Sequence, residues 1–269
     1  MPSSTQIEKG RAFEALHRGE PFVIPNPWDA GSARVLAALG FQALATTSSG
    51  FAFALGRVDG GASLDDVAAH VAAIDAATDL PVSVDLENGY GPEPEDAARA
   101  VAQAAAAGAV GGSIEDWEPA AGIYERAHAV ERIAAAVEAA RALPFPFLLT
   151  ARAENHIRGN PDLDDTIARL QAFEAAGADV LYAPGLATTA EIRAVCAAVE
   201  KPVNVLARPD LTRDEIVEAG AQRISVGGAL TWVAVDAFVA AATAIRDHGD
   251  FSLLRPMPPL REWFTPPGS

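Results

Sequence analysis

Pro81-Val-Ser-Val-Asp-Leu-Glu-Asn-Gly-Tyr-Gly91 is the stretch on which the fold turns. Val82 to Val84 form a short β-branched run, which reads as a buried strand between a proline and two glycines. Asp85 and Glu87 stand where that strand ends. Gly89 and Gly91 allow a tight turn, and a helix is expected to begin near Pro92–Glu95. Two hard oxygen ligands at a strand end suit a divalent cation such as Mg2+. Taken alone, the same pair also reads as two solvated acids on a loop.

Moving outward, the pattern repeats. Strands are expected at Phe22–Ile24, Gln42–Ala45, Val82–Val84, Gly111–Ile114, Phe147–Thr150, Val180–Tyr182, Val203–Leu206 and Arg223–Val226. Helices are expected between them, with a long final one over Ala229–Arg246. Ala107-Gly-Ala109, Ala176-Gly-Ala178 and Ala219-Gly-Ala221 each stop a helix and feed a strand. Eight strand–helix alternations match an α/β fold of the (β/α)8 TIM-barrel type, whose usual size is about 250 residues. A doubly wound open sheet has the same alternation. The chain lacks a G-x-G-x-x-G after its first strand, which argues against dinucleotide binding. The expected organisation is an N-terminal helix over 1–20, a barrel over 21–248 and a proline-rich arm over 249–269. Trp263 and Phe264 in that arm point to packing on a neighbouring subunit.

Composition narrows the function. The 269 residues carry 20 basic and 36 acidic side chains, a net charge of −16. No basic stripe is present to displace counterions from nucleic acid, and docking on anionic membranes is disfavoured. The N-terminus has no apolar signal-like region, and no window approaches eighteen uninterrupted apolar residues. The single cysteine, Cys196, lies in an apolar helical pattern and reads as a buried thiol; it fits a cytoplasmic protein without disulfides.

In a barrel, functional residues come from the C-terminal ends of several strands. Those ends supply Thr47, Ser48, Ser49 and Gly50 after strand two, and Asp85 and Glu87 after strand three. Glu115 follows strand four, Arg152 and Glu154 strand five, Tyr182 strand six and Asn204 strand seven. Gly227 and Gly228 close strand eight. Asp85, Glu87 and Glu115 could share a Mg2+ ion, with Mn2+ as an alternative, directly or through its waters. Arg152 can hold a carboxylate in a bidentate fork. Thr47, Ser48, Ser49, Gly50 and Asn204 could then bind the rest of a small anion. Such a set suits a 2-oxo acid whose enolate is stabilised by a Lewis acid. Glu154 either orients Arg152 or is solvated, and Tyr182 either donates to substrate or plugs the barrel top. His156 reads as a solvated loop residue, and His70, His128 and His248 as surface residues of helices.

These residues also carry a resemblance. Val84-Asp-Leu-Glu-Asn-Gly-Tyr-Gly91 is similar to the D-x-D-x-G-Y-G of the isocitrate lyase/phosphoenolpyruvate mutase superfamily. Ser113-Ile-Glu-Asp116, Thr150-Ala-Arg152, Trp28-Asp-Ala-Gly-Ser-Ala-Arg34 and Leu55-Gly-Arg-Val-Asp59 resemble its other segments, over roughly residues 21 to 230. The resemblance implies a Mg2+-dependent barrel that acts on 2-oxo acids through an enolate. It implies Asp85 as the direct metal ligand, with Glu87 and Glu115 mostly acting through water. It implies Arg152 and the Ser48–Gly50 loop as substrate contacts, and Asp59 as an acid near both. Family members are commonly tetramers that exchange a C-terminal helix, so a homo-oligomer, dimer or tetramer, is expected. The loop Asp116-Trp-Glu-Pro-Ala-Ala-Gly-Ile-Tyr124 lacks the K-K-C-G-H of isocitrate and methylisocitrate lyases, and Glu87 replaces the usual aspartate. The expected activity is therefore carbon–carbon cleavage of a small 2-oxo or 2-hydroxy dicarboxylate, oxaloacetate decarboxylation being the simplest case. Asp59, Arg152 and Tyr182 are the expected catalytic residues. The alternatives are phosphorus–carbon chemistry like that of phosphoenolpyruvate mutase or phosphonopyruvate hydrolase, and a non-catalytic 2-oxo acid binder.

Overall fold

The computed structural model describes residues 4–256 and 263–264, and eight parallel strands form its centre. In chain order they are β1 (Phe22–Ile24), β2 (Leu44–Ala45), β3 (Val82–Asp85), β4 (Gly111–Glu115), β7 (Leu148–Arg152), β8 (Val180–Tyr182), β9 (Val203–Leu206) and β10 (Arg223–Ser225). A two-stranded antiparallel hairpin, β5 (Trp117–Glu118) and β6 (Gly122–Ile123), follows β4. The ladder runs β1-β10-β9-β8-β7-β4-β3-β2. Across the remaining seam, the Ala45 N–H donates to the Pro25 carbonyl at 3.0 Å. The sheet therefore curls into a nearly closed (β/α)8 barrel rather than staying open.

Ten helices surround this core among the described residues: α1 (Ser4–Leu16), α2 (Ala30–Ala38), α3 (Ser48–Ala54), α4 (Leu64–Asp75), α5 (Pro94–Ala106), α6 (Arg126–Arg141), α7 (Leu163–Ala175), α8 (Thr189–Ala198), α9 (Arg213–Glu218) and α10 (Ala229–His248). Local sequence explains where they start. Asp29, Ser63, Thr188 and Thr212 each cap a helix reciprocally with the side chain three residues on. Such a box satisfies two orphan donors at once. Gly108, between α5 and β4, takes a φ of +111° that lets the chain leave the helix and enter the strand.

The stretch after β2 differs from the expected loop. Thr47 accepts from the Gly50 N–H and caps the short helix α3. The Trp117–Tyr124 segment, expected as a plain loop, contains the β5–β6 hairpin. His70, expected on the surface, is buried in α4 and stacks on Phe51 of α3 at 3.9 Å. The imidazole faces inward because α4 packs its apolar stripe of Val67, Val71 and Ile74 on the barrel, and position 70 lies on that stripe. Cys196 is half-buried.

Helix α1 closes the N-terminal mouth. Phe13 is wholly buried, and a Cβ at Gly111 would lie 2.7 Å from its ring, so glycine is needed there for the contact. Helix α10 is the opposite case: of its residues only Thr231 is buried, while Trp232, Val233, Phe238 and Val239 are exposed. It is long and apolar enough, by length and composition only, to cross a membrane. In the arm, Phe264 returns to α2, where its carbonyl accepts from Arg34 at 3.3 Å. Residues 257–262 and 265–269 of that arm lie outside the described residues.

Candidate active site

The strand ends converge through the stagger of the barrel. Glu115, Arg152, Tyr182, Asn204, Arg223 and Phe22 form one cross-strand row, each paired with the next. Paired residues on adjacent strands point to the same face. Because the strands tilt, this row winds from the rim at Glu115 toward the opposite mouth at Phe22. A polar cavity of about 230 Å³ opens at the C-terminal rim over the middle of that row.

Arg152 is the centre of the cavity wall. Its guanidinium reaches Asp85 Oδ1 at 2.8 Å, Glu115 Oε2 at 2.7 Å and Glu154 Oε1 at 2.8 Å. Glu154 holds it through both Nε and Nη2, so this carboxylate orients the arginine rather than being solvated. Glu154 is fixed in turn: its N–H donates to Asp116, which also accepts from Arg169. Burial opposes charge on Arg152, but Glu115, Glu154 and Asp85 outweigh it and keep the guanidinium firmly protonated. Burial likewise pushes the Glu115 carboxyl well above its usual range, against the pull of Arg152.

The signature turn is strained. Glu87 and Tyr90 hold φ of +49° and +62°, a region side-chain-bearing residues rarely occupy. Gly89 is needed because a Cβ there would meet the Ala97 backbone at 2.8 Å. Buried Arg132 from α6 donates to the carbonyls of Asn88, Gly91 and Glu93 and locks the turn. Asn88 also donates to Tyr124 at the foot of the hairpin. Burial, with Asp85 and Asp59 nearby, raises the Glu87 carboxyl to about 7. This corner therefore carries more negative charge than its one central arginine neutralises.

Of the residues singled out in the sequence, Thr47, Ser48, Ser49, Asp59, Asp85, Arg152, Tyr182 and Asn204 line the cavity. Gly50 is buried within α3, Glu87 lies behind Asp85 against the Tyr90 hydroxyl, and Glu115 behind Arg152. Gly227 and Gly228 border the opening. Among the described residues no three acid, histidine or cysteine side chains group closely enough to hold a metal ion between them. His156, expected to be solvated, has its side chain buried and its Nδ1 without a partner. Its Nε2 lies 3.9 Å from Glu191 Oε1.

Two arginines were not anticipated. Arg158 lies 3.4 Å above the Trp117 ring and bridges Glu154 and Glu115, joining the hairpin to the site. Only its place six residues after Arg152 hinted at this. Arg223 lies deeper in the cavity wall. An alternation pattern that puts a cation inside a barrel strand was the available signal.

The barrel rim thus gathers acids and arginines around one cavity, with Arg152 at the centre of its wall. The family profile described as phosphoenolpyruvate phosphomutase matches residues 13–246. A 2-methylisocitrate lyase of Escherichia coli K12 is 34% identical over 78% of this chain and 75% of its own. An oxaloacetate decarboxylase of Rhodopseudomonas palustris BisB5 is 32% identical over 88% of this chain and 84% of its own. A crystal structure of a candidate lyase/mutase from Burkholderia cenocepacia J2315 superposes with a TM-score of 0.94 at 53% identity, over 98% of both chains. The chain belongs to the isocitrate lyase/phosphoenolpyruvate mutase superfamily, and it is an enzyme of the lyase class.

Proposed function

We propose that the protein is a Mg2+-dependent carbon–carbon lyase for a small 2-oxo or 2-hydroxy dicarboxylate, with oxaloacetate decarboxylation as its simplest reaction. The observation that carries this reading is Arg152, a permanently charged fork held by Asp85, Glu115 and Glu154 in the wall of a small-molecule-sized cavity.

The donor set fits a hard divalent cation. Mg2+ keeps most of its waters and needs only one or two carboxylates. Asp85 faces the cavity and would bind directly, while Glu87 and Glu115 would act through water. Burial raises Glu87 most, and repulsion from Asp85 and Asp59 adds to it; a cation at Asp85 would relieve that repulsion. The ion supplies Lewis-acid stabilisation of enolate charge. Mn2+ satisfies the same ligands.

The protein's own groups do the rest. Arg152 grips a substrate carboxylate, and the Thr47, Ser48 and Ser49 hydroxyls contact the same small anion. As the C3–C4 bond of oxaloacetate breaks, its electron pair moves into the C2–C3 bond, C2–O takes the charge, and CO2 leaves. C3 then takes the phenolic proton of Tyr182, and water returns a proton to the phenolate. Burial raises that phenol to about 12, so it gives its proton only to a strongly basic carbon. The Trp117–Tyr124 segment brings no cysteine, lysine or histidine to compete for this role. Asp59 serves as an acid at the cavity edge near metal and substrate.

Phosphorus–carbon cleavage is the second reading. The family profile and the second guanidinium, Arg158, which could balance a phosphonate dianion, favour it. A screen of 2-oxo and 2-hydroxy diacids and phosphonopyruvate with Mg2+ tests both. Pyruvate and CO2 from oxaloacetate support the lyase, phosphate release supports the second reading, and saturable binding without turnover identifies a binder. Asp85→Ala must abolish the metal-dependent rate; retention of full rate sinks the site assignment. We also propose a cytoplasmic homo-oligomer, dimer or tetramer, in which the exposed apolar face of α10 packs on another copy.

A further inference from the structure

Arg152 and Arg158 share the same two acids, oxygen by oxygen. Arg152 reaches Glu154 Oε1 at 2.8 Å and Glu115 Oε2 at 2.7 Å. Arg158 reaches the other oxygen of each, Glu154 Oε2 at 3.1 Å and Glu115 Oε1 at 3.5 Å. The two guanidiniums therefore stand one carboxylate apart, and both line the cavity. Their donors are spent differently. Arg152 engages Nε, Nη1 and Nη2, and its side chain is 13% exposed. Arg158 engages only Nε and Nη2, the latter at the outer limit of a hydrogen bond, and its side chain is 35% exposed. Its Nη1, which carries two hydrogens, has no partner among the described residues.

Stability does not account for that placement, because a half-exposed ion pair is worth at most about 1 kcal/mol. The guanidinium is nevertheless held from two sides. Its central carbon lies 3.4 Å above the Trp117 ring at the start of the hairpin. Its Nε is tied to Glu154, whose side chain is buried and whose N–H is anchored on Asp116. A face of this kind suits arginine, which stacks on an aromatic ring and presents a planar fork at once. A cation fixed before its ligand arrives loses little freedom on binding. The neighbourhood makes such a cation necessary. Asp59 and Asp85 also line the cavity and repel any further carboxylate that enters it. Arg152 is already committed to three acids, so a second anionic group needs a second positive charge with donors to spare.

We infer that Arg158 is the specificity-determining residue of this cavity: its free Nη1 edge receives the substrate carboxylate that Arg152 does not hold, so the site prefers diacids to monoacids of the same length. This rests on the proposed binding of a 2-oxo or 2-hydroxy acid at Arg152, and it assigns the second carboxylate to a residue. In oxaloacetate the carboxylate beside Arg158 is the one on C4. That group loses its charge as the C3–C4 bond breaks and CO2 leaves. A cation there holds the substrate more tightly than the transition state, so it lowers KM without raising kcat.

The test is calorimetric binding of racemic malate and racemic 2-hydroxybutyrate to the full-length protein, with Mg2+ and at fixed ionic strength. The two ligands share a four-carbon 2-hydroxy acid frame, and the second has a methyl group in place of the far carboxylate. The wild type should bind malate more tightly by about tenfold or more. Arg158→Met should weaken malate by about tenfold or more and leave 2-hydroxybutyrate within about twofold. Arg158→Gln should behave likewise, and it decides if the methionine variant does not fold. With oxaloacetate, either variant should raise KM about tenfold or more, with kcat no more than about twofold lower. A residue that only pins the hairpin would weaken both ligands alike when replaced, and that outcome overturns the inference. A malate preference that survives in both variants overturns it, as does a wild type that binds the two acids equally; neither result touches Arg152. If the wild type binds neither acid, the reading of the cavity as an acid site falls and takes this inference with it. If it binds malate but turns over no diacid, the activity proposal alone fails, and the binding comparison still decides the role of Arg158.

Discussion

Replacing Arg152 by methionine removes the cation that three acids share. The side chains of Arg152, Glu115 and Glu154 are 13%, 6% and 1% exposed, so solvent does not screen the loss. Removing one partner of a buried ion pair costs about 3–5 kcal/mol. Arg158 remains at 3.1 Å from Glu154 and 3.5 Å from Glu115, and methionine refills part of the volume. Destabilisation of about 3 kcal/mol at pH 8 follows, near the lower end of that range. For a chain of this size it lowers Tm by roughly 6–12 °C. Glu115 already has a raised carboxyl pKa in the folded state, so the native protein binds a proton more tightly than the unfolded chain. Stability from such a group rises as pH falls, and more so without Arg152. The deficit should therefore shrink by about 1–2 kcal/mol between pH 8 and pH 6. Urea unfolding of variant and wild type at both pH values measures this. Millimolar Mg2+, which replaces part of the missing positive charge, should recover more stability in the variant than in the wild type. A deficit that is constant or grows on acidification refutes the charge argument, and equal stability at pH 8 refutes the burial argument.

Four further outcomes follow from particular contacts. His70 is held at a pKa of about 4 by burial, below its unfolded value of 6.5, so its neutral form stabilises the fold above pH 6.5 and that contribution is lost as pH falls toward 4. His70→Gln should flatten the acid side of the stability profile by about 2 kcal/mol at pH 5, read as a difference from wild type so that the opposite trends of Glu87 and Glu115 cancel. Gly50→Ala would place a Cβ 2.5 Å from Thr231 Oγ1 and 2.7 Å from Thr47 Cγ2, and should cost about 1–3 kcal/mol in thermal unfolding while displacing the Ser48–Ser49 hydroxyls and raising KM. Protons compete with metal at Glu87, so calorimetric Mg2+ affinity should fall by up to about tenfold from pH 8 to pH 6, with Glu87→Gln showing a flatter profile. Phe238→Glu on the exposed face of α10 should reduce the mass seen in light scattering to a smaller assembly; an unchanged mass argues against that face as the contact.

Periodicity was enough to find the eight strands. Val180–Tyr182 and Val203–Leu206 are observed at the expected residues, because short apolar runs between glycine-ended helices have few other solutions. That Asp85, Arg152 and Tyr182 would line one cavity was legible because a parallel barrel brings its strand ends together at one rim. The helix at Ser48–Ala54 was not, since Thr-Thr-Ser-Ser-Gly reads locally as a loop and becomes a helix through the Thr47 cap and the packing of Phe51 on His70.

What the order of residues determined by itself was the alternation, the acidic rim and the signature turn, all of which depend on neighbours within a few positions. The tertiary structure alone decided which charges meet. Arg152 finds Asp85 across 67 positions, Arg223 finds His17 across 206, and Arg132 finds the carbonyls of a turn more than 38 residues away. Those meetings follow from strand tilt and closure of the sheet, which act on the whole ring at once.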